Sequence, residues 1–402
     1  MVEALLVVGI VITAFVAYNI GGATTGPAFG PAVGAGAIGK VGAAALMSVS
    51  FFVGAWTIGR EVVDTLGTEL VTDPTIFSLP VSITVLFFIG GALLIGNLSG
   101  APASTSMTAV GAIAGLGIAS GTLDLTVVGE IVSWWIVSPV IGFWISAVIG
   151  RYFYTHLRRL IAIDQSEGPL LTLDREGGLP RPAPGPNTSR REIVGTVVLV
   201  AIGCLMAFSS GTSNIANAIA PLVGSNELKM NPAILLGCAA VAVGAFTIAR
   251  RTMETLGNDI TDLPLTAAIV VAVVSSTIVI ALSAAGVPAS FVVIATVNIV
   301  GLGWGRATRV VKIEDAVVGD ETPPVSVGAL AADDDAPTVG KPELIEDEHD
   351  PEPIGDEPAQ EPPAQSNLFD PSTTARVLLM QNLVPMLATI ASFATFELLF
   401  VV

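Results

Sequence analysis

The sequence predicts an all-α polytopic membrane protein: two inverted-topology repeats with broken helices and re-entrant hairpins. Three observations predict it. Of 402 residues, 52% are hydrophobic and 13% charged, whereas a soluble domain carries roughly 25% charged residues. Ten apolar segments follow one another, over about 3–18, 41–58, 75–97, 102–119, 125–149, 193–209, 231–248, 264–285, 287–304 and 377–401. Most approach the roughly 20 residues that cross a bilayer as helix. Finally, the chain repeats itself. Residues 21–34, GGATTGPAFGPAVG, are echoed by 211–224, GTSNIANAIAPLVG, at an offset of 190. Arg60 and Thr65-Leu66-Gly67 return at the same offset as Arg250 and Thr255-Leu256-Gly257. At an offset of 186, Pro102-Ala103-Ser104 returns as Pro288-Ala289-Ser290, and Gly115-Leu116-Gly117 as Gly301-Leu302-Gly303. A repeat broken by Gly, Pro and small hydroxyl residues in a very apolar chain marks a secondary transporter.

Taken in order, the first segment reads as a spanning helix rather than a signal peptide, since Glu3 stands where a basic region is needed. The first membrane repeat covers 1–150, and a polar, Arg- and Pro-rich linker covers 151–192. The second repeat occupies 193–305, an acidic loop 306–375, and a final transmembrane helix 376–402. Five segments per half, an odd number, make the second half enter the membrane from the opposite side. Arg151, Arg158, Arg159, Arg175, Arg181, Arg190 and Arg191 place the linker in the cytoplasm and both termini outside, with Arg60 as the dissenting charge. Segments 102–119 and 287–304 follow tight Gly-Ala-Pro and Gly-Val-Pro junctions. Such junctions suit hairpins that dip into the membrane, where irregular backbone is tolerated only beside protein or a watery cavity.

The net charge of −17 belongs to the loop. Between Glu314 and Glu361 sixteen acidic residues face Lys341 alone, which leaves −2 for everything else. Rich in Pro, Ala, Asp and Glu, this stretch is expected to be a disordered, solvated loop. Four lysines against thirteen arginines, with acid-rich solvent segments, suggest a halophile. Cys204 and Cys238 lie in apolar segments and read as packing residues. His156 and His349 fall in loops. No cluster resembles a metal site or an activated nucleophile, so no enzyme, resident cofactor or nucleic-acid partner is expected.

Two kinds of stretch carry chemistry. Gly211-Thr212-Ser213-Asn214-Ile215-Ala216-Asn217-Ala218 sets two carboxamides and two hydroxyls beside glycine at the end of an apolar helix. Unwound backbone there would offer carbonyls to a cation, and a restarted helix would aim its N–H groups at an anion. Small residues also simply let membrane helices approach closely; the matching copy at 21–25 favours a site. The other stretches are Pro102-Ala103-Ser104-Thr105-Ser106-Met107-Thr108 and Pro288-Ala289-Ser290-Phe291-Val292. Proline at a helix start leaves the next amides free, and hydroxyls donate to an oxyanion without carrying charge. The first copy is rich in donors while the second keeps Ser290, so the site should be asymmetric.

These residues resemble the inorganic phosphate transporter (PiT) family, whose signature is two copies of a Gly-Ala-Asn-Asp-Val-Ala-Asn-Ala-like motif in inverted repeats. Gly211, Ala216, Asn217 and Ala218 match it, and Ala220-Pro221-Leu222-Val223 continues in the family manner. In the first half Asn19-Ile20-Gly21 leads in and Phe29-Gly30-Pro31-Ala32-Val33-Gly34 restores the pattern. Trp134-Trp135-Ile136-Val137-Ser138-Pro139 is similar to the family's Trp…Ser-Pro segment. The chain departs at the signature aspartates, which fall on Thr24 and Asn214, and at the asparagines before them, on Ala23 and Ser213. Thr and Asn do not titrate, so proton coupling at this position is not expected, while sodium accepts neutral oxygen ligands.

The resemblance implies a phosphate carrier of the plasma membrane working by alternating access, probing the anion with Ser104, Thr105, Ser106, Ser290, Thr212, Ser213 and Asn214. Gly21, Thr24, Thr25, Gly211 and Asn217 are the candidates for a coupling sodium ion, and no other metal is expected. Charge balance falls to such cations, or to Arg60, Arg250 or Arg251 if they reach the cavity. The expected partners are inorganic phosphate, a coupling cation and the lipid bilayer, with a homodimer open as the assembly. Sulfate, or another tetrahedral oxyanion, is the alternative cargo, because losing carboxylate acceptors removes one way to prefer phosphate. A non-transporting sensor or scaffold is the alternative of another class.

Overall fold

The apolar segments fold into helices, since backbone groups inside a bilayer must be satisfied within their own segment. The computed structural model describes residues 2–34, 37–98, 104–161, 171–174, 181–184, 190–248, 265–308 and 371–400. The first half holds α1 (Val2–Gly34), α2 (Lys40–Thr57), α3 (Gly59–Asp64), α4 (Leu79–Leu98), α5 (Thr105–Ser120) and α6 (Leu125–Val148). A short α7 (Tyr154–Ile161) and a two-stranded antiparallel ribbon, β1 (Leu171–Asp174) with β2 (Arg181–Pro184), lie in the linker. The second half holds α8 (Arg190–Gly224), α9 (Met230–Thr247), α10 (Leu265–Ala284), α11 (Phe291–Ala307) and α12 (Pro371–Phe400).

Eight of these helices are long and apolar enough to cross a membrane, and α5 and α11 are shorter apolar helices. The chain is a multi-pass membrane protein. Local chemistry sets several boundaries. Ser104 and Ser290 cap α5 and α11 by accepting from the Met107 and Val293 amides, and Asp124 caps α6. Gly121 ends α5 in the left-handed conformation, φ 69°.

The halves pack by exchange. α2 lies on α8 and α1 on α9; α5 lies on α12 and α11 on α6. Glycines set these approaches, and they recur at the offsets read from the sequence. A β-carbon at Gly54 would collide with the Phe208 carbonyl, and one at Gly244 with the Tyr18 carbonyl. Gly211 meets the Phe51 carbonyl as Gly21 meets that of Val241. Gly115 meets the Thr389 carbonyl as Gly301 meets that of Phe143. The last pair gives α6 and α12 an offset of 246, which also aligns Pro139 with Pro385. Each contact therefore occurs twice, with the partners exchanged between halves.

One sequence expectation is corrected. α1 and α8 are wound without interruption through 21–25 and 211–218. Thr24 and Thr25 donate back to the Ile20 and Gly21 carbonyls, each at 2.7 Å. The helix interruptions fall instead between α4 and α5 and between α10 and α11. Arg60 does not reach the centre: its Nε donates to the Trp56 carbonyl at 2.7 Å and its guanidinium lies over the Trp56 ring. Partial burial and then Glu61 and Glu69 hold the nearby Asp64 carboxyl above its usual range, with Arg60 the smaller, opposing influence. Arg250, Arg251, Glu254, His349 and the acidic stretch 314–361 lie outside the described residues.

The exchanged approaches predict matched costs. Gly54→Leu and Gly244→Leu should each lower stability by about 1–3 kcal/mol through overpacking. Gly129→Leu, where a β-carbon meets nothing within 4 Å, should be neutral. Thermal melting in detergent checks all three.

Candidate functional site

The two interruptions meet on one stretch of α8. The open end of the α4–α5 pair is pinned at its base, where the Thr72 amide donates to the Thr122 carbonyl at 2.7 Å and the Asp124 amide to that of Leu70 at 3.1 Å. Its other end reaches α8: the Thr105 hydroxyl donates to Asn214 Oδ1 at 2.6 Å. Asn214 lies ten residues before the end of α8, about 15 Å along the helix and half the thickness of a hydrocarbon core. The site is therefore deep in the membrane part.

Ser213 joins the second interruption to the first. Its hydroxyl donates to the Ala289 carbonyl at 2.8 Å and accepts from the Ala289 amide at 3.2 Å. The Ser106 hydroxyl donates to the same carbonyl at 3.0 Å and lies 3.2 Å from the Ser213 oxygen. Asn217 Nδ2 donates to Asn214 Oδ1 at 3.2 Å and contacts the Ser106 oxygen at 3.5 Å, and Asn214 Nδ2 donates to Ser210 at 2.9 Å. From the outer side, Trp135 Nε1 donates to the Pro288 carbonyl at 2.7 Å and so holds the α10–α11 junction in place.

Of the expected anion contacts, Thr105, Ser106, Ser213 and Asn214 are brought together. Ser104 and Ser290 sit at the heads of α5 and α11, spending their hydroxyls on caps at 3.2 and 3.4 Å. Thr212 faces the other way, toward the Ser209 carbonyl at 2.8 Å and the Ser283 hydroxyl at 3.2 Å. Helix geometry on this strand of residues explains the split: Ser210, Ser213, Asn214 and Asn217 share one face, and Thr212 does not. Among the cation candidates, Asn217 belongs to the cluster, while Thr24, Thr25, Gly21 and Gly211 do not. The two glycines are used for close approach and their carbonyls lie within wound helix. The backbone of Ala289, Ser210 and Trp135 were missed. Trp135 stood in a motif noted in the sequence, but the role of a backbone carbonyl has no sequence signal.

The cluster carries no formal charge. It offers buried hydroxyl and amide donors, the free first amides of α5 and the positive end of that helix dipole. Asn217 Oδ1 is buried without a partner among the described residues, and Pro221, lacking an N–H, cannot donate to the main-chain carbonyl of Asn217. One residue thus presents two acceptor oxygens beside a set of donors. The matching place in the other half is poorer in donors: the offsets put Phe291, Val292, Ala23, Thr24 and Pro27 where Thr105, Ser106, Ser213, Asn214 and Asn217 stand.

Comparisons with known proteins agree with this architecture. A model of the phosphate transporter family matches residues 20–320. The sulfate permease CysP of Bacillus subtilis (strain 168) is 32% identical over 302 residues, covering 74% of this chain and 77% of the relative. A putative phosphate permease of Helicobacter pylori (strain ATCC 700392 / 26695) is 26% identical over 390 residues, covering 78% and 72%. A solved structure of a sodium-dependent phosphate transporter superposes with a TM-score of 0.64 at 19% identity, over 99% of this chain and 100% of that one.

Removing the Ser213 hydroxyl strands the amide of Ala289 in an apolar interior and leaves its carbonyl to Ser106 alone. Ser213→Ala should destabilise the protein by about 1–3 kcal/mol. Trp135→Phe, which keeps an aromatic ring but loses the N–H and the pyrrole part of the indole, should cost about 1 kcal/mol for the hydrogen bond with a cavity cost added. Melting curves of the two variants test these costs.

Proposed function

We infer, since the chain belongs to the phosphate transporter family, that it is a secondary active carrier of a tetrahedral oxyanion, that sulfate is its preferred cargo, and that sodium accompanies it. The observation that carries this reading is the neutral donor cluster where the heads of α5 and α11 meet α8. Hydroxyls, amides and helix N-terminal N–H groups suit a tetrahedral anion. Sulfate only accepts hydrogen bonds, so it needs no carboxylate opposite. The similarity to a sulfate permease, at 32% identity, supports the same cargo.

Phosphate, the first reading of the sequence, is the second reading here. It is favoured by the family match and by the relatives named as putative phosphate permeases. Asn214 and Asn217 Oδ1 can accept the proton of a monohydrogen phosphate, but as neutral acceptors they do so more weakly than the aspartate that the family signature carries.

Sodium follows from charge. A divalent anion in an apolar interior without a formal positive partner carries a desolvation cost of tens of kcal/mol by simple Born reasoning, and neutral donors offset only part of it. Cations bound beside it supply the rest. Asn217, with a side-chain and a main-chain oxygen both open, is the residue best placed to ligate sodium, a hard ion that takes neutral oxygens.

The movement follows from topology. If α4–α5 and α10–α11 enter and leave on one side, each half crosses with three helices, α1, α2 and α6 or α8, α9 and α12. Three is odd, so the halves are inverted. Because both members of each hairpin drop out of the count together, the sidedness set by the arginines is unchanged: linker inside, termini outside. Rocking of one half against the other would then expose the cluster alternately to the two sides of the plasma membrane.

Uptake of labelled sulfate and phosphate into proteoliposomes, with and without an inward sodium gradient, tests the reading. Saturable, sodium-stimulated sulfate uptake that excess phosphate inhibits poorly is expected. Uptake of neither anion under any gradient would favour the sensor or scaffold instead. Asn214→Asp should shift the sulfate-to-phosphate preference toward phosphate by about tenfold, the scale of one charge-assisted hydrogen bond. Asn217→Leu should remove most of the sodium stimulation, measured as the sodium dependence of the initial rate.

A further inference from the structure

Gln381 is a buried amide. It is 1% exposed, and among the described residues neither its Nε2 nor its Oε1 has a hydrogen-bond partner. Such a group costs stability unless a ligand completes it, and within a membrane segment a buried polar side chain is a functional candidate by default.

Its place is fixed by register. Gln381 heads the buried face of α12, continued by Val384, Ala388, Ser392 and Phe396. That face lies on α5. Gly111 meets the Thr389 hydroxyl and the Pro385 carbonyl, Gly115 meets the Thr389 carbonyl, and the Ser392 hydroxyl donates to the Ala112 carbonyl at 2.6 Å. The two helices run parallel along these contacts. Gln381 stands one turn before Pro385 and so falls level with the first turn of α5, where Ser104, Thr105 and Ser106 lie. The internal repeat gives the same place independently. At the offset of 246 that aligns Pro139 with Pro385, the counterpart of Gln381 is Trp135. Trp135 directs its N–H at the Pro288 carbonyl, just ahead of Ser290 and the head of α11. Where the first half spends a donor on holding the junction, the second half carries at the matching position of α12 a donor with no partner among the described residues.

We propose that Gln381 is an additional oxyanion-binding residue, its Nε2 donating to the anion seated on the first turn of α5. This rests on the carrier reading above. Thr105, Ser106 and the α5 amides grip the anion from one side, and Gln381 supplies a neutral donor from the facing helix. No charge is added, in keeping with the rest of the cluster. The carboxamide oxygen remains as an acceptor, through which a protonated oxyanion is tolerated.

The test compares the full-length protein with Gln381→Met, which keeps length and flexibility but has no N–H, and with Gln381→Leu as a second apolar variant. Initial rates of sulfate and phosphate uptake give KM and kcat, and melting in detergent with and without saturating sulfate or phosphate gives binding directly. Both variants should raise KM for the transported anion about tenfold, leave kcat within about twofold, and shrink the anion-induced rise in melting temperature. Without anion, the Met variant should melt at the same temperature or higher, because an unpaired amide has been removed. An unchanged KM and melting shift overturns the proposal. So does a lower melting temperature without anion, which would mean an internal partner, or a change in sodium dependence alone, which would make Gln381 a cation ligand. A wild-type protein that moves no oxyanion would sink the carrier reading, whereas an active wild type with an unaltered Met variant sinks only the role of Gln381.

Discussion

The arrangement depends on one hydroxyl. Chain that stops being helical inside an apolar slab exposes amides and carbonyls, each costing several kcal/mol if left unmet. At the α10–α11 junction Ser213 meets both groups of Ala289, and Ser106, from the other half, meets the carbonyl as well. The same side chains that make the junction tenable therefore bring the heads of α5 and α11 onto α8. Structural need and binding geometry are satisfied by the same atoms, so a tetrahedral ligand entering here must compete with, or rearrange, these hydrogen bonds. That exchange gives the bound and empty states a reason to differ in shape.

Glycine-mediated contact supports this centre. Because Gly54 and Gly244, and Gly21 and Gly211, admit partner carbonyls where a β-carbon would not fit, α2 and α8, and likewise α9 and α1, approach to backbone distance. Lipid offers little hydrophobic drive for helix association, so close van der Waals packing of this kind supplies much of it. The exchange of partners between halves matters mechanically. Neither half packs mainly on itself at these crossings, so each presents the other with a rigid counterpart.

How legible was this in the sequence? The repeat was fully readable, and its offsets of 190 and 186 identify contacts that the structure then shows in exchanged pairs. The tight junctions before 102–119 and 287–304, read as signs of hairpins that dip into the membrane, stand just ahead of the two shorter apolar helices. The unwinding expected near Gly21 and Gly211 was misplaced, because glycine in a membrane helix serves close approach as readily as it serves broken backbone. Threonines 24 and 25, read as cation candidates, donate their hydroxyls to carbonyls of their own helix. Within 212–214 composition could not say which hydroxyl faces inward; only the helical phase separates Ser213 from Thr212. Ala289 contributes backbone, which no residue type announces. Gln381 was invisible as a lone amide in an apolar helix, although aligning Pro139 with Pro385 would have set it opposite Trp135.

The asymmetry of the two copies bears on how a two-fold scaffold came to hold a one-sided site. Where Thr105, Ser106, Ser213 and Asn217 surround the α5 head, the equivalent place around α11 carries Phe291, Val292, Ala23 and Pro27. A symmetric pair of polar sites would hold two anions within a short distance in a low dielectric, and their mutual repulsion would be large. On the proposed reading, filling one copy with mostly apolar side chains removes that competitor and leaves a single place where a dianion would find donors. It also removes ligands that a symmetric site would offer to cations on that side. On the proposed reading the remaining copy would supply both anion donors and cation oxygens. Asn217 would suit this double demand, since its amide nitrogen joins the donor network, its Oδ1 has no partner among the described residues and Pro221 cannot donate to its carbonyl. Neutral residues can thus hold opposite charges side by side, with the ions compensating each other and the protein contributing only orientation.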